Sequence, residues 1–270
     1  MSASPPPSQP ELLEIAVNAA CRGGLEVRQR IGRVTGQTSK SSTTDPVTDA
    51  DKYSDTAIRA VLKQHRPDDG LLTEESEPRT GSTGMRWVVD ALDGTVNYTY
   101  GIPHFCVSIA CERWTEVGWS VLVGAVHDIV RDETFTAALG LGAHLNGGRI
   151  RVNDPESLEQ SLVAVEFSYL AESRGRQAAA AERLLHRVRD IRSTGSSALD
   201  LCWTACGRLD GFAEDELSRW DWTAGALIVA EAGGMVTPFG SGIVASATRL
   251  HDGLLAAVQP SHDDAVIPDR

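Results

Sequence analysis

The stretch Trp87-Val88-Val89-Asp90-Ala91-Leu92-Asp93-Gly94-Thr95 decides both the fold class and the chemistry of this 270-residue chain. Its apolar run reads as a buried strand that delivers Asp90 to its end. Three residues later Asp93 precedes a Gly-Thr step. If the chain turns into a helix there, Asp93 caps it, and the free N–H groups of Gly94 and Thr95 form an anion cradle at the helix start. Two carboxylates beside a phosphate cradle repel the substrate unless cations intervene, so the pattern asks for a divalent metal. Carboxylate oxygens with no neighbouring His or Cys select magnesium or manganese over zinc.

Two further places combine an acid with an element end. Leu72-Thr73-Glu74-Glu75-Ser76 sets a carboxylate pair after an apolar pair, and Arg219-Trp220-Asp221-Trp222-Thr223-Ala224-Gly225 opens a helical period. Glu74, Asp90, Asp93 and Asp221 together carry charge for two or three ions, which suits metal-assisted phosphoryl transfer to water. Taken singly, each has an ordinary alternative: Glu74-Glu75 as a solvated loop, Asp93-Gly94 as a turn, Asp221 as an N-cap.

Outward from these motifs, helices and strands alternate. The spacing of Leu13, Val17, Ala20, Gly24, Val27 and Ile31 predicts an amphipathic helix, and a second helix runs from an N-cap at Asp49 or Asp51 to before Pro67. Val107 to Ala110, Trp119 to Val126 and Glu133 to Thr136 read as a strand meander. A helix is expected over Gln177 to Asp190, and others through Ala198–Ala205, Thr223–Ala232 and Leu250–Val258. Between them, Met235–Pro238 and Ile243–Ala245 read as strands. The class is mixed α/β. Residues 1–10 (MSASPPPSQP) are expected to be a disordered tail. Gly32 to Asp45 reads as a polar loop.

Composition excludes other classes. With 25 Lys+Arg against 37 Asp+Glu the net charge is −12, wrong for a non-specific nucleic-acid binder or a polybasic membrane-surface protein. No apolar run approaches the ~20 residues of a spanning helix, and no secretory pattern opens the chain. Five cysteines without a C-x-x-C fit reduced thiols, so a cytoplasmic location is expected.

The residues Asp90 to Tyr98 (DALDGTVNY) resemble the D-P-[IL]-D-G-T-x-N-[FY] signature of the inositol monophosphatase family of magnesium-dependent, lithium-sensitive phosphatases. Trp220 to Gly225 resembles that family's W-D-x-[AS]-A-G element. Lys40-Ser41-Ser42, Asp45 to Asp51 and Thr73 to Ser76 match further family motifs, in order, from about Leu12 to Val258. Ala91 stands where the signature has proline, which would stiffen the loop without adding a ligand.

The resemblance implies a layered αβαβα sandwich. Its N-terminal half (11–150) would carry the first signature, its C-terminal half (151–270) the second, with the site between them. It implies one metal on Glu74, Asp90 and the Leu92 carbonyl, a second on Asp90, Asp93 and Asp221, and a third on Glu74 and waters. Glu74 and Thr95, the latter supported by Asp51, would activate water; the Gly94 and Thr95 amides would hold phosphate, with Asp93 and Asp221 beside it. Gly195, Ser196, Ser197 and Glu214 would meet the substrate's alcohol, and Lys40 a phosphate or water. The expected substrate is a small phosphate ester, first inositol monophosphate; histidinol phosphate and sugar bisphosphates are alternatives on the same fold. A homodimer is usual in the family. A non-catalytic partner-binding chain is the reading from another class.

Overall fold

In the computed structural model, residues 7–33, 38–39 and 46–259 are described. The first helix, α1 (Gln9–Arg28), is followed by strands β1 (Thr38–Ser39) and β2 (Pro46–Val47), helix α2 (Asp49–His65), and strands β3 (Gly70–Thr73) and β4 (Met85–Asp93). Helix α3 (Thr95–Tyr100) leads into the meander β5 (Cys106–Thr115), β6 (Gly118–Asp128), β7 (Glu133–Ala138), β8 (Gly142–Leu145) and β9 (Gly148–Arg149). Then come β10 (Leu162–Val165), α4 (Ala171–Leu185), β11 (Asp190–Arg192), α5 (Ser197–Ala205) and β12 (Gly211–Glu214). Helix α6 (Arg219–Glu231), strands β13 (Gly234–Phe239) and β14 (Gly242–Ala247) and helix α7 (His251–Val258) complete the chain.

Strands β3 to β9 form a seven-stranded sheet in chain order; β11-β10-β12-β14-β13 form a five-stranded one. Each sheet is apolar on both faces, and the period of two sorts its residues between layers. Trp87, Val89 and Ala91 of β4 join the core beneath α1 and α2, whereas Val88 faces the opposite core against α5 and α6. In β12, Phe212 faces that central core and Ala213 the outer one beneath α4 and α7. The order of layers is therefore α1/α2, large sheet, α5/α6, small sheet, α4/α7: the αβαβα sandwich that the signatures imply.

Several expectations shift in detail. Helix α1 starts at Gln9, inside the stretch read as a tail, because Ser8 and Glu11 form a capping box. Its buried stripe is Leu12, Ala16, Ala19, Ala20, Gly23, Gly24 and Val27, rotated from the expected face. At Gly23 the side chains of α2 press so closely that a Cβ would lie 2.6 Å from Ser54 Oγ, which turns the small residues inward and leaves Leu13 and Val17 at the edge. The second helix is capped by Thr48, with Asp51 as its N3 partner. Helix α4 begins and ends earlier than predicted, and Asp190 opens the short edge strand β11, paired in parallel with β10. Three edge residues carry too little periodicity to be read. In the polar loop, Thr38–Ser39 pair with Pro46–Val47.

Candidate active site

A cavity of about 520 Å³ opens where the ends of β3, β4, β10 and β12 meet the first turn of α6 and the turn before α5. Strand β4 supplies two of its carboxylates by breaking its own pattern. On a regular strand residues 90 and 93 would face opposite sides. Here Asp90 pairs with Ser108 and Asp93 with Cys106, so a bulge places two residues against one, and both acids line the cavity. Asp90 closes this irregular step by accepting from the Leu92 amide at 2.9 Å.

Gly94, not Asp93, occupies the N-cap of α3, in the left-handed region at φ 91°. A Cβ there would stand 2.9 Å from the His104 carbonyl and 3.1 Å from that of Gly195, so the first signature touches the turn before α5 at this point. Asn97 fastens them, its amide donating to the carbonyls of His104 at 2.8 Å and Thr194 at 2.7 Å.

The Thr95 hydroxyl lies 2.9 Å from Asp51 Oδ1 and 2.9 Å from the Leu92 carbonyl. Asp51 is fully buried, and its other oxygen accepts from the Thr48 amide and hydroxyl at 2.7 and 2.6 Å. The helix cap thus aims Asp51 at Thr95, which lines the cavity. Asp221 sits at N3 of α6, capped by Ser218, whose amide donates to Asp221 Oδ2 at 2.7 Å. Glu74 follows β3 and lines the cavity alongside Leu92 and Gly94.

Asp93 Oδ2 accepts from Ser196 Oγ at 2.5 Å and from the Ala198 amide at 2.9 Å. Loss of water pushes its carboxyl up to about 6; these two donors oppose that shift, and the charge of Glu74 adds to it. Ser196 is buried and directs its hydroxyl at Asp93; it is absent from the described lining, which takes in Gly195 and Ser197. Ser197 donates to Glu214 Oε2 at 3.0 Å. Burial pushes the Glu214 carboxyl well up, and the negative charges of Glu166 and Asp221 push it further. Lys40 lies outside the described residues, as do Ser41, Ser42 and Asp45.

Glu166, Ser168 and Glu216 also line the cavity. Sequence reading missed Glu166, although Val163-Ala164-Val165-Glu166 repeats the signal used elsewhere, an apolar strand ending on an acid. Glu166 Oε1 accepts from the Thr194 and Gly195 amides at 2.5 and 2.7 Å and so shapes the turn before α5. Seven carboxylates (Glu74, Asp90, Asp93, Glu166, Glu214, Glu216 and Asp221) face this cavity, and no Lys, Arg or His lines it among the described residues. No group of three or more acidic, His or Cys side chains converges as a ready-made metal cage among the described residues. The donor chemistry nonetheless fits hard divalent ions: the side chains that line the cavity offer oxygen donors and are strongly anionic.

The fold and cavity define the class. The chain belongs to the inositol monophosphatase family, whose model matches residues 8–270. It is 39% identical to inositol-1-monophosphatase of Mycobacterium bovis, covering 98% of this chain and 99% of that one. It is also 39% identical to the Nus factor SuhB of Pasteurella multocida, covering 94% of this chain and 97% of that protein. Among solved structures, the extragenic suppressor protein suhB of Bartonella henselae superposes with a TM-score of 0.86 at 35% identity, covering 92% of this chain and 98% of that one. Mycobacterium tuberculosis SuhB superposes at 0.78 with 37% identity, over 93% and 97%.

Proposed function

We propose that the chain is a magnesium-dependent phosphomonoesterase that hydrolyses inositol monophosphate to myo-inositol and phosphate in this cavity. The observation that carries the reading is the carboxylate-lined cavity with the Thr95–Asp51 pair at its wall. Glu74, Asp90, the Leu92 carbonyl, Asp93 and Asp221 would hold two or three Mg2+ ions, with Mn2+ as a substitute. Bound there, the ions would screen the phosphate from the carboxylates and acidify water at the site.

The chain's own residues then have distinct tasks. Thr95 Oγ1 stands between the cavity and Asp51 Oδ1, so it can take a proton from attacking water while its own passes to Asp51. Glu74 orients the same water. The Gly94 and Thr95 amides face phosphate oxygens. On the alcohol side, Gly195 and Ser197 line the wall, Ser197 presenting its hydroxyl oxygen, and Glu214 accepts from ring hydroxyls; Ser196 acts through Asp93. The halves 11–150 and 151–270 would close over the substrate, and the active form would be a homodimer.

Histidinol phosphate is the second reading, favoured by the acidic residues Glu166, Glu214 and Glu216 in the lining, which suit an ammonium. A second phosphate meets the same acids unfavourably, which argues against bisphosphates. A non-catalytic role, raised by relatives called Nus factors, sits poorly with the complete carboxylate set. Phosphate release from the three esters, with and without magnesium, tests the proposal. Magnesium-dependent, lithium-suppressed release from the inositol ester is expected. Preference for histidinol phosphate would move the alcohol-side assignment, and silence on all three would overturn the phosphatase reading.

A further inference from the structure

We infer that Glu166 and Asp200 share one proton, carried by Asp200, and that this acid pair positions the turn over residues 193–197 in the cavity wall. Asp200 lies in the first turn of α5, fully buried. Its Oδ1 accepts from Thr194 Oγ1 at 2.6 Å. Its Oδ2 is buried with no donor facing it, and the group it does meet is the Glu166 carboxyl. Two carboxylate oxygens can share such a contact only through a proton.

The surroundings decide which acid carries it. Glu166 accepts from two backbone amides and from Ser193 Oγ at 3.0 Å, three donors that favour its ionised form. Asp200 has the single Thr194 donor, so the proton belongs on Asp200 Oδ2, donated to Glu166. The charged or titratable groups around the pair are His104, Glu214 and Asp93. His104 Nε2 stands 2.9 Å from Thr194 Oγ1 and 3.9 Å from Asp200 Oδ1. Burial first, and then the charge of Arg131, holds this imidazole down at about 4, so it is neutral and does not supply the proton. Asp93 repels a negative charge on Asp200, which favours its protonated form, whereas Glu214 faces Glu166. With its proton on Nε2, His104 donates to Thr194 Oγ1, whose own hydroxyl donates to Asp200 Oδ1.

The consequence is positional. Glu166 grips Thr194 and Gly195, and the next residues of the same turn hold Asp93 Oδ2 and present Ser197 to the cavity. Both acids are positioning residues. The activity arm of the test rests on the phosphatase reading; the spectroscopic arm does not.

The discriminating variants are Asp200→Asn, whose amide donates permanently to Glu166, and Asp200→Leu, which cannot. In the infrared difference spectrum of wild type minus Asp200→Asn at neutral pH, a protonated-carboxyl C=O band should appear; its absence overturns the shared proton. Turnover of Asp200→Asn should stay within about threefold of wild type, whereas Asp200→Leu should lose about tenfold or more in kcat/KM, chiefly through KM. Equal loss in both variants would overturn the donor role. If neither they nor wild type release phosphate, the phosphatase reading has failed, and the infrared band decides the pair alone. Should Asp200→Leu not fold, Glu166→Gln replaces it: it moves the buried charge onto Asp200, where one donor replaces three, and should cost more activity than Asp200→Asn. The reverse ranking overturns the assignment.

Discussion

Asp93 is the residue on which most of the site converges: the bulge turns it inward, Ser196 and the Ala198 amide fix one oxygen, and the residue lines the cavity with Glu74 and Asp90. Asp93→Asn should therefore lose about hundredfold or more in magnesium-dependent turnover with its circular dichroism unchanged. Near-normal turnover with a normal metal requirement would remove Asp93 from the ligand set. Gly94 is constrained differently. At φ 91°, with the His104 carbonyl 2.9 Å from any added Cβ, Gly94→Ala should cost about 1–3 kcal/mol, read from the urea midpoint. His104 gives the acid limb of stability. Its folded pKa of about 4 lies below the usual histidine value, so its contribution is complete above about pH 6.5. It is lost as pH falls through the folded value, because the unfolded chain binds the proton first, a loss of about 3 kcal/mol. Urea unfolding of wild type should weaken between pH 7 and pH 4 more steeply than that of His104→Gln; parallel profiles would exclude the residue.

At the scale of elements, α6 must bring Asp221 to acids carried by β4, and an ion triad anchors it. Buried Glu112 on β5 accepts from Arg86 Nε at 2.7 Å and from Arg219 at the start of α6. Each arginine also lies over an indole: Arg86 over Trp119 at 4.0 Å and Arg219 over Trp222 at 4.8 Å. Glu112→Ala would strand two cations against apolar surface. We expect a loss of about 3 kcal/mol in stability and reduced turnover through a displaced Asp221. Calorimetry with a parallel phosphate-release assay checks both; an unchanged melting temperature would show that the triad does not anchor the helix. Strand and helix periods made β4 to β7 and α6 legible in the sequence. They missed β11, whose three residues join the sheet only because β10 offers them an edge, and they rotated the buried face of α1, where contact with α2 selects glycine and alanine over leucine and valine.

Across the whole molecule, the sandwich gathers seven carboxylates around one cavity, and a bound divalent ion should offset the negative charge collected there. Magnesium should then raise the melting temperature, by the equivalent of about 2.7 kcal/mol at a hundred times its dissociation constant, with EDTA reversing the gain. A melting temperature indifferent to magnesium would contradict the metal reading. The ordered motifs by themselves carried the family resemblance, and with it the expected αβαβα layering, and they singled out the acids from Glu74 to Asp221, because strand ends, Asp-Gly steps and helix starts are local signals. Only the tertiary structure decided that Ser196 serves Asp93, that Gly94 rather than Asp93 caps α3, and that Glu166 and Asp200 meet. Those outcomes depend on which backbones touch across the layers and on how far water is excluded between them, quantities set by packing between segments a hundred residues apart.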